Sequence, residues 1–330
     1  MIEVQDLTKT FKVHKKEAGL LGSVKSLFSR KEIEKHAVAG VSFSIGEGEI
    51  VGLIGANGAG KTTLVKMLAG IIHPSGGSAR VLGYDPWERD DRLRNQVALI
   101  MGQKAQLWWD LPAADCFLLL REIYRIPEAE FRKTLDELVS VLGVEEQLNI
   151  QIRRLSLGER MKMELLAALL HTPRVVYLDE PTIGLDLTAQ RAIREFVLRY
   201  QQKHSPAMIL TSHYMEDIER LCKRIMIIRD GVIVYDGALD QVVKMYATHK
   251  IVTVHLPEDG PKFDRAEFEK LGEIEEFGTD TIKLNVARES AAHAAARLVD
   301  LTRAVDLNIE EVEIGTIIES ILRAKGSTLT

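Results

Sequence analysis

The sequence predicts an α/β protein followed by a second, smaller α+β domain. Three observations predict it. The apolar run 50–54 leads through a glycine-rich turn into a helical run, 62–72. Two more apolar runs, 174–178 and 207–211, end in polar residues and alternate with helical stretches, the pattern of a largely parallel sheet. From 250 onward short strands and helices alternate, which reads as a domain of roughly 80 residues with a split βαβ layout.

At 330 residues the chain has room for one large and one small domain. Its 46% hydrophobic and 28% charged content suits a globular protein with a sizeable core. A net charge of −5 gives no general nucleic-acid footprint, so no nucleic-acid partner is expected. No apolar run approaches a membrane span, and the opening MIEVQDLTK is too polar for a signal peptide. Cys116 and Cys222 are the two cysteines, without metal-ligand spacing around them, and a reduced cytoplasmic setting is expected. Action at a membrane then requires a separate chain to supply the spans.

Taken in order, alternation at Ile2 and Val4 starts a strand that ends near Phe11. The segment 12–36 is basic, with a net +4 in a chain that is −5 overall. Within it Leu20, Leu21, Val24, Leu27 and Phe28 recur at helical spacing. A basic amphipathic helix directed at a membrane surface or a partner is one reading; a helix packed on its own domain is the other. Strands are expected at 39–45, 50–54, 79–82 and 97–101, with a charged helix at 87–94. Gln103 follows the last of these strands, then Leu107-Trp108-Trp109-Asp110-Leu111-Pro112 in a loop. A helical pattern covers 113–147, with Phe131, Leu135, Leu138, Val139 and Leu142 on one face and Gly143 at its end. This mainly helical insert extends over about 104–172. A hairpin is expected around Arg229-Asp230-Gly231. The domain boundary is placed at 245/246, with later strands at 251–256, 274–277, 282–286 and 312–314 and helices at 265–271, 290–301 and 316–323.

The chemistry concentrates in a few stretches. Gly55-Ala56-Asn57-Gly58-Ala59-Gly60-Lys61-Thr62-Thr63 fits G-x-x-x-x-G-K-[ST] between a strand and a helix. Such glycines let backbone N–H groups close on a polyphosphate, and the helix N-terminus points its free N–H groups and partial positive charge at the same anion. Lys61 is placed to reach the β- and γ-phosphates of a bound nucleotide, and the Thr62 hydroxyl to ligate Mg²⁺. The later run Val175-Val176-Tyr177-Leu178-Asp179-Glu180 ends an apolar strand in two carboxylates. Asp179 would hold Mg²⁺, directly or through water. Glu180 is placed to polarise an attacking water as general base.

Together these stretches resemble the nucleotide-binding subunit of ATP-binding cassette (ABC) transporters over residues 1 to about 240. The resemblance implies an ABC ATPase core of the P-loop NTPase fold, with an antiparallel β subdomain and a helical subdomain. It identifies Gln103 with the glutamine that senses the γ-phosphate and Mg²⁺ and couples to a permease. It identifies Leu155-Ser156-Leu157-Gly158-Glu159 with the signature LSGGQ, Asp186 with the D-loop acid, His213 with the switch histidine, and Phe11 with the aromatic that stacks on adenine. Two departures stand out. Leu157 replaces the first signature glycine, and Glu159 replaces the glutamine, adding an acid near the phosphates that is expected to slow closure. Ser156 and Gly158 remain for the phosphate contact, and Lys61, Asp179, Glu180 and His213 keep hydrolysis expected.

The resemblance also implies a head-to-tail dimer, either a homodimer or a pair with a closely related second subunit. P-loop and signature would meet across it around two ATP molecules. It implies integral-membrane permease subunits, reached through the helical insert and Trp108-Trp109, and a peripheral location at the cytoplasmic face of the membrane. The basic segment, the Gly102-to-Pro112 run and the C-terminal domain are similar to a bacterial subgroup allied to daunorubicin-resistance-type exporters, which implies export. Soluble ABC ATPases of DNA repair or translation are the competing class. The compact insert between Gln103 and Ser156 and the single cassette argue against it.

Overall fold

The computed structural model describes residues 1–14, 32–102, 104–246, 248–257 and 263–323. The chain forms two compact units that divide after Gly237.

In the first unit, β1 (Ile2–His14), β2 (Glu32–Ile45) and β4 (Gly76–Val81) form an antiparallel sheet in the order β2-β1-β4. Ile2, Val4 and Leu7 are all buried, although simple alternation would turn Leu7 outward. A register shift between Val4 and Leu7, with Asp6 at φ +45°, restores the inward face. The other sheet contains β3 (Ile50–Ile54), β5 (Val97–Met101), β6 (Val175–Asp179), β7 (Ala207–Thr211), β8 (Arg224–Arg229) and β9 (Val232–Ala238), in the order β5-β6-β7-β3-β8-β9. The pairs among β5, β6, β7, β3 and β8 are parallel. Every residue of β3, β6 and β7 is buried, which accounts for their unbroken apolar runs. The β8–β9 turn has both Asp230 and Gly231 at positive φ, as a tight hairpin needs.

Seven α-helices of this unit lie among the described residues: α1 (Lys61–Leu68), α2 (Asp91–Arg94), α3 (Ala113–Tyr124), α4 (Glu128–Leu142), α5 (Leu157–Leu169), α6 (Leu187–His204) and α7 (Met215–Leu221). The helical run expected over 113–147 is broken at Arg125, which is left-handed at φ +53°, and at Pro127. The charged helix expected at 87–94 is a 3-10 turn, Pro86–Glu88, and the short α2, separated by Arg89 at φ +56°.

The basic segment expected at 12–36 is corrected at both ends. Residues 12–14 continue β1, and residues 32–36 begin β2 well before the expected 39. Long antiparallel pairing, with Phe11 opposite Lys35, outweighs the charge pattern there. The amphipathic helix built on Leu20 to Phe28 lies outside the described residues.

The second unit begins with α8 (Leu239–Tyr246) and continues through β10 (His249–His255), α9 (Arg265–Glu269), β11 (Glu273–Phe277), β12 (Thr281–Ala287), α10 (Ala291–Thr302), β13 (Asp306–Glu311) and α11 (Ile314–Arg323). Its strands are all antiparallel in the order β11-β12-β10-β13, the split βαβ arrangement. Val252 opposite Leu284 and Val254 opposite Ile282 form one apolar face, covered by Ala291, Ala294, Ala295 and Leu298. The final strand was expected at 312–314. It lies at Asp306–Glu311, and Ile314 instead opens α11, whose Ile317, Ile318 and Ile321 are buried. Among the described residues no helix is long and apolar enough to cross a membrane.

Candidate functional site

The carboxyl ends of three adjacent parallel strands, β3, β6 and β7, bring the site together, where open α/β sheets bind ligands. From β3 the chain turns through Gly55–Gly60 into α1. Gly60 has φ +112°, and a Cβ there would come within 2.3 Å of the Ala37 carbonyl oxygen, so glycine is the residue that fits. Gly60 also occupies the N-cap of α1 without any side-chain cap. The first N–H groups of the helix are therefore left for an anion. Lys61 is 5% exposed, and its Nζ donates to the carbonyl oxygens of Gly55 at 2.7 Å and Ala56 at 3.2 Å. Burial lowers its pKa, while the nearby Glu180 and Asp179 oppose the shift.

At the end of β6, Asp179 Oδ1 accepts from the Thr62 hydroxyl at 3.2 Å and from the Thr211 hydroxyl at 2.7 Å. A carboxylate and a hydroxyl side by side suit a hard cation shared with phosphate oxygens. Among the described residues no group of three or more His, Cys, Asp or Glu could hold a metal unaided. Glu180 has φ +57°, a left-handed conformation that is costly outside glycine. It is held there by its N–H, which donates to the Thr211 carbonyl at 3.0 Å, and its carboxylate lies 2.8 Å from His213 Nε2.

Two neighbouring cavities share Thr62 and Glu180. One, of about 210 Å³, runs from Phe11 and Lys35 past Ala37, Asn57 and Lys61 to Glu180. The other, of about 120 Å³, is lined by Lys66, Met101, Lys104 and Asp179 besides the shared pair. Of the residues the sequence singled out, Phe11, Asn57, Gly58, Gly60, Lys61, Thr62, Thr63, Asp179 and Glu180 line these cavities. Gln103 lies outside the described residues. Lys35, Ala37 and Thr211 were missed. The signal for the first two was the register that sets Lys35 opposite Phe11 across β1 and β2.

Ser156, Gly158 and Glu159 do not line either cavity. Ser156 is the N-cap of α5 in a reciprocal capping box. The Ser156 hydroxyl accepts from the Glu159 N–H at 3.3 Å, and Glu159 Oε2 accepts from the Ser156 N–H at 2.9 Å and its hydroxyl at 2.8 Å. Those donors lower the Glu159 pKa. The Glu159 carboxylate thus engages the same serine groups that would meet a phosphate. Asp186 caps α6, accepting from the Ala189 N–H at 2.9 Å. On the helical part, Trp108 and Trp109 are both about half exposed, with Arg160 over the Trp109 ring at 5.4 Å. Leu118, Leu119 and Ile123 of α3 are exposed as well.

Comparison with known proteins finds relatives for both parts of the chain. The family described as ABC transporter matches residues 38–183, and the EvrA-like ABC transporter C-terminal domain matches 248–310. The chain is 31% identical over 213 residues to the ABC transporter ATP-binding protein NatA of Bacillus subtilis, covering 64% of this chain and 86% of that one. It is 31% identical over 261 residues to the Nod factor export ATP-binding protein I of Paraburkholderia xenovorans, covering 79% and 84%. A solved structure of an ATP-binding subunit of an ABC transporter superposes with a TM-score of 0.62 at 26% identity, over 74% of this chain and 93% of that one. The fold also matches a dimeric ATP-binding cassette in a post-hydrolysis state with ADP and Pi, at a TM-score of 0.60 and 21% identity over 72% and 98% of the two chains.

A P-loop core with paired carboxylates at the strand ends defines an ATP-hydrolysing nucleotide-binding protein. The chain belongs to the ABC transporter ATP-binding family and is an ABC-type ATPase subunit.

Proposed function

We propose that this chain powers a bacterial ABC exporter by ATP-driven closure of two nucleotide-binding subunits against a separate membrane permease. The observation that carries the proposal is the assembly of Lys61, Thr62, Asp179, Glu180 and His213 beyond the carboxyl ends of β3, β6 and β7 while Ser156 and Gly158 stay outside the cavities there. A site built this way is half of one, and a second copy in head-to-tail contact supplies the other half. Closure also requires the Glu159 carboxylate to yield the Ser156 N–H and hydroxyl to phosphate.

In this reading Phe11 stacks on adenine, and Gly55 to Thr63 cradle the phosphates through backbone N–H groups. Lys61 leaves its two carbonyls for the β- and γ-phosphates. Thr62 and Asp179, with Gln103, would hold Mg²⁺, which would supply charge neutralisation at the phosphates. Glu180 takes the proton of the attacking water, and His213, 2.8 Å from Glu180 Oε1, orients it and faces the γ-phosphate. Loss of the γ-phosphate contacts loosens the dimer. The apolar face at Trp108, Trp109 and α3 receives the permease, placing the subunit at the cytoplasmic membrane surface. Export is supported by relatives that include a Nod factor export protein.

The test is Glu180→Gln in the full-length chain. Steady ATP hydrolysis should stop, nucleotide binding should persist, and ATP should trap a dimer visible by light scattering. Unchanged turnover would remove Glu180 from the base role, and a persistently monomeric ATP-bound variant would remove dimer closure.

A further inference from the structure

Asp217, in the first turn of α7, lies outside every motif the sequence offered, and it is fully buried. Its Oδ2 accepts from the Ser212 hydroxyl at 2.5 Å and from the Thr182 hydroxyl. Its Oδ1 accepts from Arg194 Nε at 2.6 Å. Arg194 is itself buried in α6, donates to Gln190 Oε1 at 3.0 Å and pairs with Glu216 at 2.6 Å. Ser212 precedes His213 directly, and its hydroxyl also accepts from the Tyr214 N–H at 3.0 Å. Thr182 follows Glu180 by two residues. One carboxylate therefore ties down both loops that set Glu180 and His213 at 2.8 Å.

A buried ion pair is weak grounds for a stabilising role, because well-packed apolar side chains of the same volume are often as good or better. Its directional bonds do something apolar packing does not: they fix where two hydroxyls, and hence two loops, must sit. Thr182 and Ser212 are both nearly inaccessible, so neither hydroxyl has water as a substitute partner.

We infer that Asp217, held in place by Arg194, is a positioning residue for hydrolysis that sets the Glu180–His213 geometry by clamping the Thr182 and Ser212 loops together. It touches no nucleotide and acts through those two side chains. The inference rests on the reading of Glu180 and His213 as the hydrolytic pair. Arg194 extends the clamp to α6, the helix that Asp186 caps.

The experiment uses the full-length chain and compares Thr182→Val, which keeps shape but removes the hydroxyl, with Thr182→Ser, which restores one. It adds Ser212→Ala and the Thr182→Val/Ser212→Ala double variant. The expected result is a fall in kcat of about tenfold or more for Thr182→Val and Ser212→Ala. KM and the affinity for a fluorescent ATP analogue should stay within about twofold, and Thr182→Ser should recover most of kcat. Because the two hydroxyls serve one carboxylate, the double variant should lose much less than the product of the single losses. Equal kcat for the Val and Ser variants would overturn the inference, as would a loss of kcat that only follows the folded fraction measured by thermal melting. Glu180→Gln in parallel separates the two claims. If it still turns over, the hydrolytic pair itself is wrong; if it is dead while Thr182→Val is fully active, only the clamp is wrong.

Discussion

Gly102 is where a single methyl group tests the geometry of the hydrolytic edge. The residue leaves β5, and its N–H donates to the Asp179 carbonyl at 2.9 Å. A Cβ at this position would lie 1.9 Å from the Glu180 carbonyl oxygen and 2.8 Å from its carbonyl carbon. Ordinary contact begins near 3.4 Å, so the Gly102→Ala variant must open a gap of about 1.5 Å between the end of β5 and Glu180. Both obstructing atoms are backbone, so no side-chain rotation relieves the clash. Glu180 is already in a left-handed conformation and has little freedom to move without losing its bond to Thr211. A misplacement of about 1 Å at a reacting group costs on the order of a hundredfold in rate. The expected outcome is a fall in kcat of that size, with overpacking lowering stability by about 1–3 kcal/mol. Nucleotide binding at Gly55–Lys61 should be spared. The assay is phosphate release at saturating ATP, with binding of a fluorescent analogue and a thermal melt on the same preparation. A folded Gly102→Ala protein with kcat within twofold of the parent would refute the argument that β5 fixes the position of Glu180.

Three further outcomes can be checked. Glu159→Gln keeps an acceptor for the capping box, so its melting temperature should barely move. Removal of the carboxylate charge should favour ATP-driven dimerisation by about 1 kcal/mol, read as a several-fold lower half-saturating ATP in sedimentation; an unmoved midpoint separates Glu159 from the anion site. Phe11→Ala should weaken ATP binding by about 1 kcal/mol through the lost ring contact and leave kcat at saturation unchanged, and equal affinity by titration calorimetry would take Phe11 out of the adenine site. Lys61 carries a lowered pKa in the free protein, caused first by burial. Phosphates raise it again, so ATP binding at alkaline pH should take up protons and weaken as pH rises. Calorimetric heats that do not change between buffers of different ionisation enthalpy would exclude this linkage.

What could be read from sequence was what neighbours in sequence decide. β3, β6 and β7 are buried on both faces, so their apolar runs were unambiguous, and the polar residues closing each run mark the site. Asp179, Glu180 and Lys61 belong to contiguous motifs and could be placed by pattern alone. Lys35 could not, because its place beside Phe11 depends on a hairpin register that extends β2 back into a segment whose charge suggested something else. Asp217 was invisible for a related reason. Its partners Thr182 and Arg194 stand 35 and 23 residues away, and nothing local distinguishes an acid on a short helix that is buried from one that is solvated. The break at Arg89 is a left-handed residue that is not glycine, so composition gave no warning; near Arg125 the warning was Pro127, two residues on. In the second unit the β-branched appearance of 312–314 competed with the amphipathic period of α11, and burial of Ile317, Ile318 and Ile321 decided for the helix.

The two carbonyl contacts of Lys61 have a consequence for the cost of binding. Ordering a free loop takes roughly 1–2 kcal/mol per residue in backbone entropy. Here the ammonium bridges Gly55 and Ala56 from inside the turn, and the loop holds its curvature through its own cation. A phosphate arriving at this turn meets a loop that is already curved, and the entropy of shaping it has been spent during folding. In the proposed function, Lys61 is a strut for the loop before it is a ligand for the nucleotide.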